Sequence, residues 1–368
     1  MKDYSTYTDE ELEAARAQTS KEITQLHNSQ MSIKILMNGL YGSTANQHFI
    51  YYINDMAQAI TSSGQLSAKW AGQTVNRYMN KVLDTDDVDY ITYTDTDSIY
   101  VNLGPLVEKV FGTVEITREQ GEKFIDNVCR TKIEPLLDEG YEQLAETMGA
   151  YRNAMKMKRE KISDKAIFCA KKRYIMNVLN SEGVHYEEPK VSVTGIDAAR
   201  SSTPDICKKK FFEAFKIIVT QGEAETQKFI EKFRNEFFQL PVEDIAKVSG
   251  TNDIDRYVDK QTVYKKACPI HIRGCILMNK WIVDNGMENK YPLIQSGDKI
   301  KFVYLKMPNP IRENVISFVD APPAQLNLDA YVDRDKQFSK VFLDPLQNVL
   351  DALNWSGTKL DTLDSFFC

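Results

Sequence analysis

Hydrophobic positions in the first hundred residues recur at two different spacings, and each spacing predicts a different element. Over about residues 9–38 the apolar residues recur at roughly helical spacing, and Thr8 with Glu11 forms a capping box ahead of them. A second long helix is predicted over about residues 54–82. Residues 89–101 alternate instead between apolar and polar side chains, which predicts two short strands joined by a tight turn.

The remainder of the chain divides near residue 200 into a part with strands and a part dominated by helices. Ser201 to Pro204 is typical of a helix start, with the proline near the first helical position. The predicted elements are a helical block over 117–148, strands over 156–180 and 191–194, helices over 205–221 and 223–239, and a final helix followed by a polar tail over 343–368.

Composition and charge limit the classes of protein to which the chain can belong. With 368 residues, of which 42% are hydrophobic and 27% charged, we expect a soluble globular protein of two or three subdomains. No apolar run approaches the roughly 20 residues of a spanning helix, so no membrane association is expected. The net charge of −6 argues against general nucleic-acid affinity but allows a local basic channel, and residues 152–173 form the one clear basic segment. The six cysteines include no CxxC pair, which favours buried free thiols over a zinc site.

The turn of the predicted hairpin carries the sequence Asp95, Thr96, Asp97. Two carboxylates two residues apart on an extended backbone lie on the same side of the strand. They would repel each other, so the arrangement suits a divalent cation or a basic group between them. The simpler interpretation is a solvated turn, because aspartate favours turns.

Two motifs favour the cation. Residues 93–98, YTDTDS, resemble motif C of the family B DNA polymerases, usually YGDTDS, and residues 34–42, KILMNGLYG, resemble motif B, KxxxNSxYG. Both occur in the order that the family uses and at a plausible separation. The similarity extends over nearly the whole chain and is greatest to the T-even-like bacteriophage replicative polymerases.

The resemblance implies an α+β fold that forms part of a family B polymerase. Residues 1–50 would form the C-terminal half of the fingers, with long helices and motif B. Residues 51–200 would form the palm, an antiparallel sheet with helices that carries the motif C hairpin. Residues 201–357 would form a mainly helical thumb, and residues 358–368 a tail that binds a sliding clamp.

The resemblance further implies template-directed nucleotidyl transfer by a two-metal mechanism with Mg²⁺. In that mechanism Asp97 is the essential bridging ligand and Asp95 a supporting one. Glu160 occupies the place where related phage enzymes carry a further acidic residue near the metals, although by itself it would be taken for a surface charge.

Residues of motif B are expected to bind the incoming dNTP. Lys34 and Asn38 are four positions apart and share a helix face, and a lysine suits the charged oxygens of a triphosphate. Tyr41 would pack under the nascent base pair. Thr96 is expected to help distinguish a correctly shaped base pair there. Without the motif, Lys34 would be interpreted as a solvated helix lysine.

Contacts to primer–template DNA are expected from Gly42, from the KKRY element and from a segment of the thumb. The KKRY element is Lys171, Lys172, Arg173 and Tyr174, and the thumb segment contributes His271 and Arg273. In the tail, Leu363, Phe366 and Phe367 resemble the residues that dock on a sliding clamp. The alternative for these three is that the tail folds back on its own thumb.

The chain departs from the family pattern in two residues and in what it lacks. Gly39 replaces the usual serine of motif B, which loosens the helix by up to about 1 kcal/mol. Thr94 replaces the usual glycine of motif C, which affects how closely that backbone can approach the primer. No segment matches motif A (DxxSLYPS), which supplies the other bridging aspartate, and no exonuclease carboxylate motif is present.

These absences predict the C-terminal subunit of a split polymerase. The resemblance to phage enzymes implies that it is encoded by a virus and works in the cytoplasm of a bacterial host. An N-terminal partner subunit would supply motif A, the exonuclease and the remaining fingers, and the two Mg²⁺ ions would be shared with its aspartate. The helix at about 9–38 would pair with a helix of that partner, and the hairpin at 89–101 would lie beside its motif A strand. The interface would be of the obligate kind, leaving the chain poorly soluble alone.

Two other interpretations remain. The chain could be a non-catalytic protein that binds DNA and a sliding clamp, left over from a polymerase. It could also be an engineered fragment.

Overall fold

The computed structural model describes residues 7–196 and 200–358. Within these residues the chain forms two units. The first comprises the residues up to Val110 together with Lys132–Met157, and the second comprises Phe111–Thr131 together with the residues from Lys158 onward.

Helices and small antiparallel sheets make up both units, which confirms the α+β class. The helices are α1 Asp9–Thr44, α2 Asn54–Leu83, α3 Gly104–Phe111, α4 Arg118–Val128, α5 Glu134–Thr147, α6 Asp205–Thr220, α7 Glu223–Phe237, α8 Val242–Ile245, α9 Ile254–Tyr257, α10 Ile270–Asp284, α11 Arg334–Phe338 and α12 Asp344–Asp351. π-Helical turns span Cys129–Ile133 and Ser339–Leu343, and 3₁₀ turns span Ala324–Leu326 and Leu328–Ala330. The strands are β1 Ile91–Asp95, β2 Ser98–Val101, β3 Lys161–Ala170, β4 Arg173–Ser181, β5 Val184–Thr194, β6 Lys247–Gly250, β7 Val258–Asp259, β8 Val263–Tyr264, β9 Lys299–Tyr304 and β10 Val315–Phe318.

Helix α1 begins as its sequence predicts and ends later. The capping box is present, because the Thr8 hydroxyl accepts from the Glu11 amide at 3.4 Å and the Glu11 carboxylate accepts from the Thr8 amide at 2.8 Å. The helix then continues to Thr44, past Gly39 and Gly42. The predicted end at residue 38 and the turn at Gly42 are therefore wrong. A glycine costs a helix only about 1 kcal/mol, which does not suffice to end one of 36 residues.

Packing of α2 against α5 forms the core of the first unit. The side chains of Val75 and Met79 are fully buried. The Trp70 indole donates to the Gly140 carbonyl at 2.8 Å. A Cβ atom on Gly140 would lie 3.2 Å from Thr74, so the absence of a side chain lets the two helices approach closely. The predicted helix over 54–82 is confirmed.

The second unit contains a three-stranded antiparallel sheet in the order β3-β4-β5. All residues from Ile175 to Asn180 in the central strand are buried, as expected for a strand covered on both faces. The helices α4, α6 and α12 pack against this sheet. The strands predicted within 156–180 and 191–194 are confirmed, although β4 lacks the alternation expected of it.

Beyond residue 200 the structure contains more sheet than the sequence analysis predicts. Helices α6 and α7 confirm the two predicted amphipathic segments. A further antiparallel sheet, in the order β10-β9-β6, was not predicted. It packs against α10, where Gly274 leaves room for Ser317 of β10. The proposed domain limits at residues 50, 200 and 357 stay predictions.

Stacked phenylalanines and buried thiols fill the core of the second unit. The ring centroid of Phe342 lies 4.7 Å from those of Phe211 and Phe233. The described cysteines are free thiols, as predicted. Burial raises the pKa of Cys207 and of Cys275 to about 12, so both remain protonated.

A polar network fixes α4 on the β3-β4-β5 sheet. The carboxylate of Glu122, only 4% exposed, accepts from the Asn180 amide at 2.9 Å and pairs with the His185 ring at 2.7 Å. The Asn180 side-chain oxygen accepts from Arg159 at 2.7 Å, and the same arginine pairs with Asp126. The network links a helix to two strands, and of its groups only the His185 ring is substantially exposed.

Replacing Glu122 by alanine should destabilise the second unit. The change leaves the Asn180 amide and the His185 ring without their acceptor, so we expect a loss of about 1–3 kcal/mol in the free energy of unfolding, measured by chemical denaturation. Glu119→Ala is the matched control on the same helix, because its pair with Lys123 is solvent-exposed and should contribute little. Equal effects from the two variants would contradict a structural role for the network.

Candidate functional site

A two-residue turn carries the candidate catalytic carboxylates. Strands β1 and β2 are antiparallel, and Asp95 pairs with Ser98, so that Thr96 and Asp97 form the turn between them. The predicted hairpin is confirmed. Just behind the turn, the rings of Tyr93 and Tyr100 lie 5.5 Å apart between centroids.

The backbone of this turn differs from the sequence expectation. Thr96 adopts φ +51°, in a region that β-branched residues rarely occupy. Its hydroxyl donates to the Asp95 carboxylate at 3.1 Å, and the Ser98 hydroxyl donates to the Asp95 carbonyl at 3.1 Å. The chain is thus not extended between Asp95 and Asp97, and the argument that both lie on one strand face is wrong. Instead Asp95 is half-buried at the strand end and Asp97 is exposed in the turn.

Two asparagines of α2, Asn76 and Asn80, hold the segment that leads into the hairpin. Asn76 bonds the Asp89 carboxylate at 2.7 Å and the Tyr90 amide at 2.9 Å. Asn80 bonds both backbone groups of Val88, at 2.8 and 3.0 Å. The Asn76 donor, together with the backbone amide of Ile91, holds the pKa of Asp89 below its usual range. Sequence reasoning missed these residues, whose signal is two amides four positions apart at the end of the preceding helix.

The motif B residues share one solvent-facing side of α1. Lys34, Asn38 and Tyr41 are all exposed, and their spacing of four and three residues places them on one face. The adjacent side of the helix carries large apolar residues whose exposed fraction is 57–72%: Ile23, Leu26, Ile33, Met37 and Leu40. Among the described residues of α1, only Thr44 is buried. The helix therefore presents the motif B residues beside an uncovered apolar stripe.

The groups that could bind a metal ion at the hairpin turn are carboxylate oxygens. Asp95 and Asp97 belong to the first unit and are the hard ligands that Mg²⁺ prefers. Within residues 7–196 and 200–358, no group of three or more His, Cys, Asp or Glu residues is arranged to hold a metal ion. Glu160 belongs to the second unit, is exposed just before β3, and accepts from the Glu182 amide through its carbonyl at 2.6 Å.

The two lysines of the KKRY element form the turn between β3 and β4. Ala170 pairs with Arg173, which leaves Lys171 and Lys172 exposed at the tip, with Lys172 at φ +61°. These lysines are therefore in a turn and not in a strand. A Cβ atom on Gly195 would overlap the Lys172 carbonyl oxygen, so the glycine permits a close backbone approach that supports the turn. Tyr174 lies in β4 and pairs with Phe168 of β3, and the centroids of their rings are 5.7 Å apart.

The thumb residues His271 and Arg273 lie in the first turn of α10 and are tied to their own unit. Arg273 donates to Asn314 at 2.7 Å, and its guanidinium lies 5.6 Å from the Tyr264 ring centroid. Partial burial lowers the pKa of His271. The structure gives both residues internal contacts, and their contact with DNA stays a prediction.

The remaining two expectations are a clamp-binding tail and the lack of a membrane-spanning helix. Leu363, Phe366 and Phe367 lie outside the described residues. Across the described part of the chain, no helix has the length and apolar character needed to cross a bilayer.

Comparison with known proteins identifies the family. A model of DNA polymerase family B matches residues 10–134, which include the whole β1–β2 hairpin. The DNA-directed DNA polymerase of Enterobacteria phage T4 is 32% identical over 381 residues, covering 100% of this chain and 42% of that protein. The corresponding polymerase of Escherichia phage RB69 is 30% identical over 351 residues, covering 92% of this chain and 38% of that protein. DNA polymerase 2 of Aeropyrum pernix is 23% identical over 321 residues, covering 86% of this chain and 31% of that protein.

The chain thus spans less than half the length of these curated relatives. The matched part of this chain nevertheless includes both the motif B helix and the motif C hairpin. On these grounds the chain belongs to DNA polymerase family B.

Proposed function

We propose that this chain contributes the C-terminal part of the active site of a replicative DNA-directed DNA polymerase. The observation that carries the proposal is the β1–β2 turn, which presents Asp95 and Asp97 at the position of motif C. The exposed face of α1 with Lys34, Asn38 and Tyr41 adds the groups of motif B. A protein that only binds DNA has no use for this combination.

The chemistry supplied by bound Mg²⁺ is activation of the primer hydroxyl and neutralisation of charge on the leaving pyrophosphate. In our proposal Asp97 would be the essential ligand of the metal, and Asp95 would be a supporting ligand. Glu160 contributes a further carboxylate near these positions. The exposure of Asp97 in the turn leaves its oxygens accessible to a cation.

The α1 face binds the nucleotide in this proposal. The Lys34 ammonium pairs with the triphosphate oxygens, and Asn38 lies beside it one turn further along. Tyr41 packs under the nascent base pair, and Thr96 faces the same pair from the hairpin. Gly42 has no other atom within 4 Å of the place of a Cβ atom, which leaves the helix backbone open to the DNA.

The second unit holds the duplex in this proposal. Lys171 and Lys172 bind phosphates, and Arg173 and Tyr174 contact the DNA just behind the primer end. His271 and Arg273 add a contact from the thumb. Leu363, Phe366 and Phe367 dock on a sliding clamp.

We further infer that the missing bridging aspartate comes from an N-terminal partner subunit. The observation that supports this proposal is the uncovered apolar stripe of α1, which a helix of another polypeptide would cover. That subunit also brings the exonuclease and the remaining fingers. The complex is expected to act in the cytoplasm of a bacterial host.

Primer extension tests the shared active site. With Mg²⁺, dNTPs and primer–template, we expect extension by a mixture of this chain and a subunit carrying motif A, and none by either alone. Asp97→Ala should reduce the rate of the mixture by about 1,000-fold, because a lost metal ligand removes several kcal/mol of transition-state stabilisation. Asp86→Ala, which removes an exposed carboxylate of the same unit, is the control and should change little.

Two other outcomes of primer extension would contradict this proposal. Extension by this chain alone would show that the second bridging carboxylate lies within it. No extension by the mixture, with binding to DNA and clamp retained, would favour the non-catalytic protein.

Placing negative charges on the apolar stripe of α1 tests the partner interface. We expect Leu26→Glu with Ile33→Glu to abolish both the complex and its primer extension, because two carboxylates would be buried without partners. The complex is measured by analytical ultracentrifugation. Asn28→Glu places the same charge on the opposite side of α1 and should leave the complex intact. Assembly of the double variant would rule out the stripe as the interface.

The salt dependence of DNA binding tests the KKRY turn. Replacing Lys171 or Lys172 by alanine should weaken binding to primer–template DNA and reduce the slope of log affinity against log salt by about 1 for each lysine, because each releases one counterion equivalent. Lys123→Ala removes an exposed lysine from α4 and serves as the control. An unchanged slope in the turn variants would exclude phosphate contacts there.

A further inference from the structure

Asn76 of α2 uses both ends of its side-chain amide on the segment before β1. Its nitrogen donates to the Asp89 carboxylate at 2.7 Å, and its oxygen accepts from the Tyr90 backbone amide at 2.9 Å. The same carboxylate oxygen of Asp89 also accepts from the Ile91 amide at 2.9 Å. One half-buried side chain therefore fixes two consecutive residues at the entrance of the hairpin.

Asn80 does the same one turn later on the helix. Its nitrogen donates to the Val88 carbonyl at 2.8 Å, and its oxygen accepts from the Val88 amide at 3.0 Å and from the Thr85 hydroxyl at 2.8 Å. Val88 thus finds both backbone partners in one amide, as it would in a neighbouring strand. We call Asn76 and Asn80 the amide clasp.

The hairpin needs such support because its own ladder is short and irregular. It has only two strands among the described residues, and the pairing shifts between Ile91 and Tyr93. An isolated two-stranded hairpin is marginally stable, and an irregular register can slip. Tyr90, 5% exposed and bonded through its carbonyl to the Asn102 amide at 2.8 Å, is the last fixed point before the irregularity. Asp95 follows five residues later, at the end of β1.

We propose that the amide clasp is a positioning device for Asp95 and Asp97. By fixing residues 88–90 against α2, it sets the register of β1 and so the place of both carboxylates at the tip. Asn76 and Asn80 touch neither substrate nor metal and act through the strand. The inference rests on the proposed role of the two aspartates as metal ligands.

The Asn76–Asp89 pair allows a swap that separates positioning from general stability. Asn76→Ala removes both hydrogen bonds, and Asn76→Asp puts two carboxylates against each other. Asp89→Asn keeps an oxygen that can accept from Asn76 and Ile91. The double variant Asn76→Asp with Asp89→Asn restores the pair with donor and acceptor exchanged. Gln58→Ala, an exposed amide on the same helix with no hydrogen bond in the part of the chain that the structure describes, is the control.

Two measurements report on metal geometry. One is primer extension by the complex with the subunit carrying motif A, as a function of Mg²⁺ concentration. The other is the broadening by Mn²⁺ of the Thr96 amide signal in NMR spectra of the same complex. We expect Asn76→Ala and Asn76→Asp to raise the half-saturating metal concentration in both and to lower the maximal rate by up to about 100-fold. DNA affinity should be unchanged, Asp89→Asn should resemble the wild type, and the double variant should recover most of the loss.

The outcomes distinguish this inference from the function on which it rests. A wild-type complex that extends primers, with Asn76→Ala unchanged in rate and metal dependence, would overturn the clasp and leave the polymerase function standing. Equal losses in Asn76→Asp and the double variant would show that the effect is general destabilisation, and would also overturn it. A wild-type protein with neither extension nor Mn²⁺ broadening would overturn the metal role, and the clasp's positioning role with it.

Discussion

Two carboxylates held at one hairpin tip are the constraint around which the first unit is organised. Two short strands alone hold such a tip weakly. The structure supports the tip with contacts made largely outside the ladder. Thr96 closes the turn in a rare backbone conformation, and α2 bonds the entering segment through side-chain amides. These contacts fix the segments on both sides of Asp95.

Both hairpins that carry candidate chemistry follow the same local plan. Each has a two-residue turn in which a residue other than glycine adopts a positive φ, +51° at Thr96 and +61° at Lys172. Such conformations persist where the surroundings determine them. For Lys172 the surrounding element is Gly195, whose bare backbone meets the turn carbonyl. In each unit the candidate functional side chains lie at the tip of a hairpin, acidic in the first unit and basic in the second.

Unlike these two hairpins, helix α1 has little support from the rest of the described chain. Its apolar stripe is uncovered from Ile23 to Leu40, and motif B lies on the adjoining face. A helix of this kind obtains most of its stability from packing, so a cover for the stripe would also orient Lys34 and Tyr41. Assembly and nucleotide binding would then depend on the same helix, which links the completion of the active site to the presence of a partner.

The sequence by itself determined the features that depend on neighbours along the chain. The capping box at Thr8, the helices α2, α6 and α7, and the β1–β2 hairpin follow from local spacing and capping, and motifs B and C indicated the family. Local rules failed at Gly42, where propensity alone was too weak to end the helix, and at Thr96, where the turn overrode the extended backbone. Only the tertiary structure decided the β10-β9-β6 sheet, the Glu122 network, the support of Lys172 by Gly195 and the amide clasp. These join residues distant in sequence or depend on the exact approach of two elements, and neither composition nor periodicity carries that information.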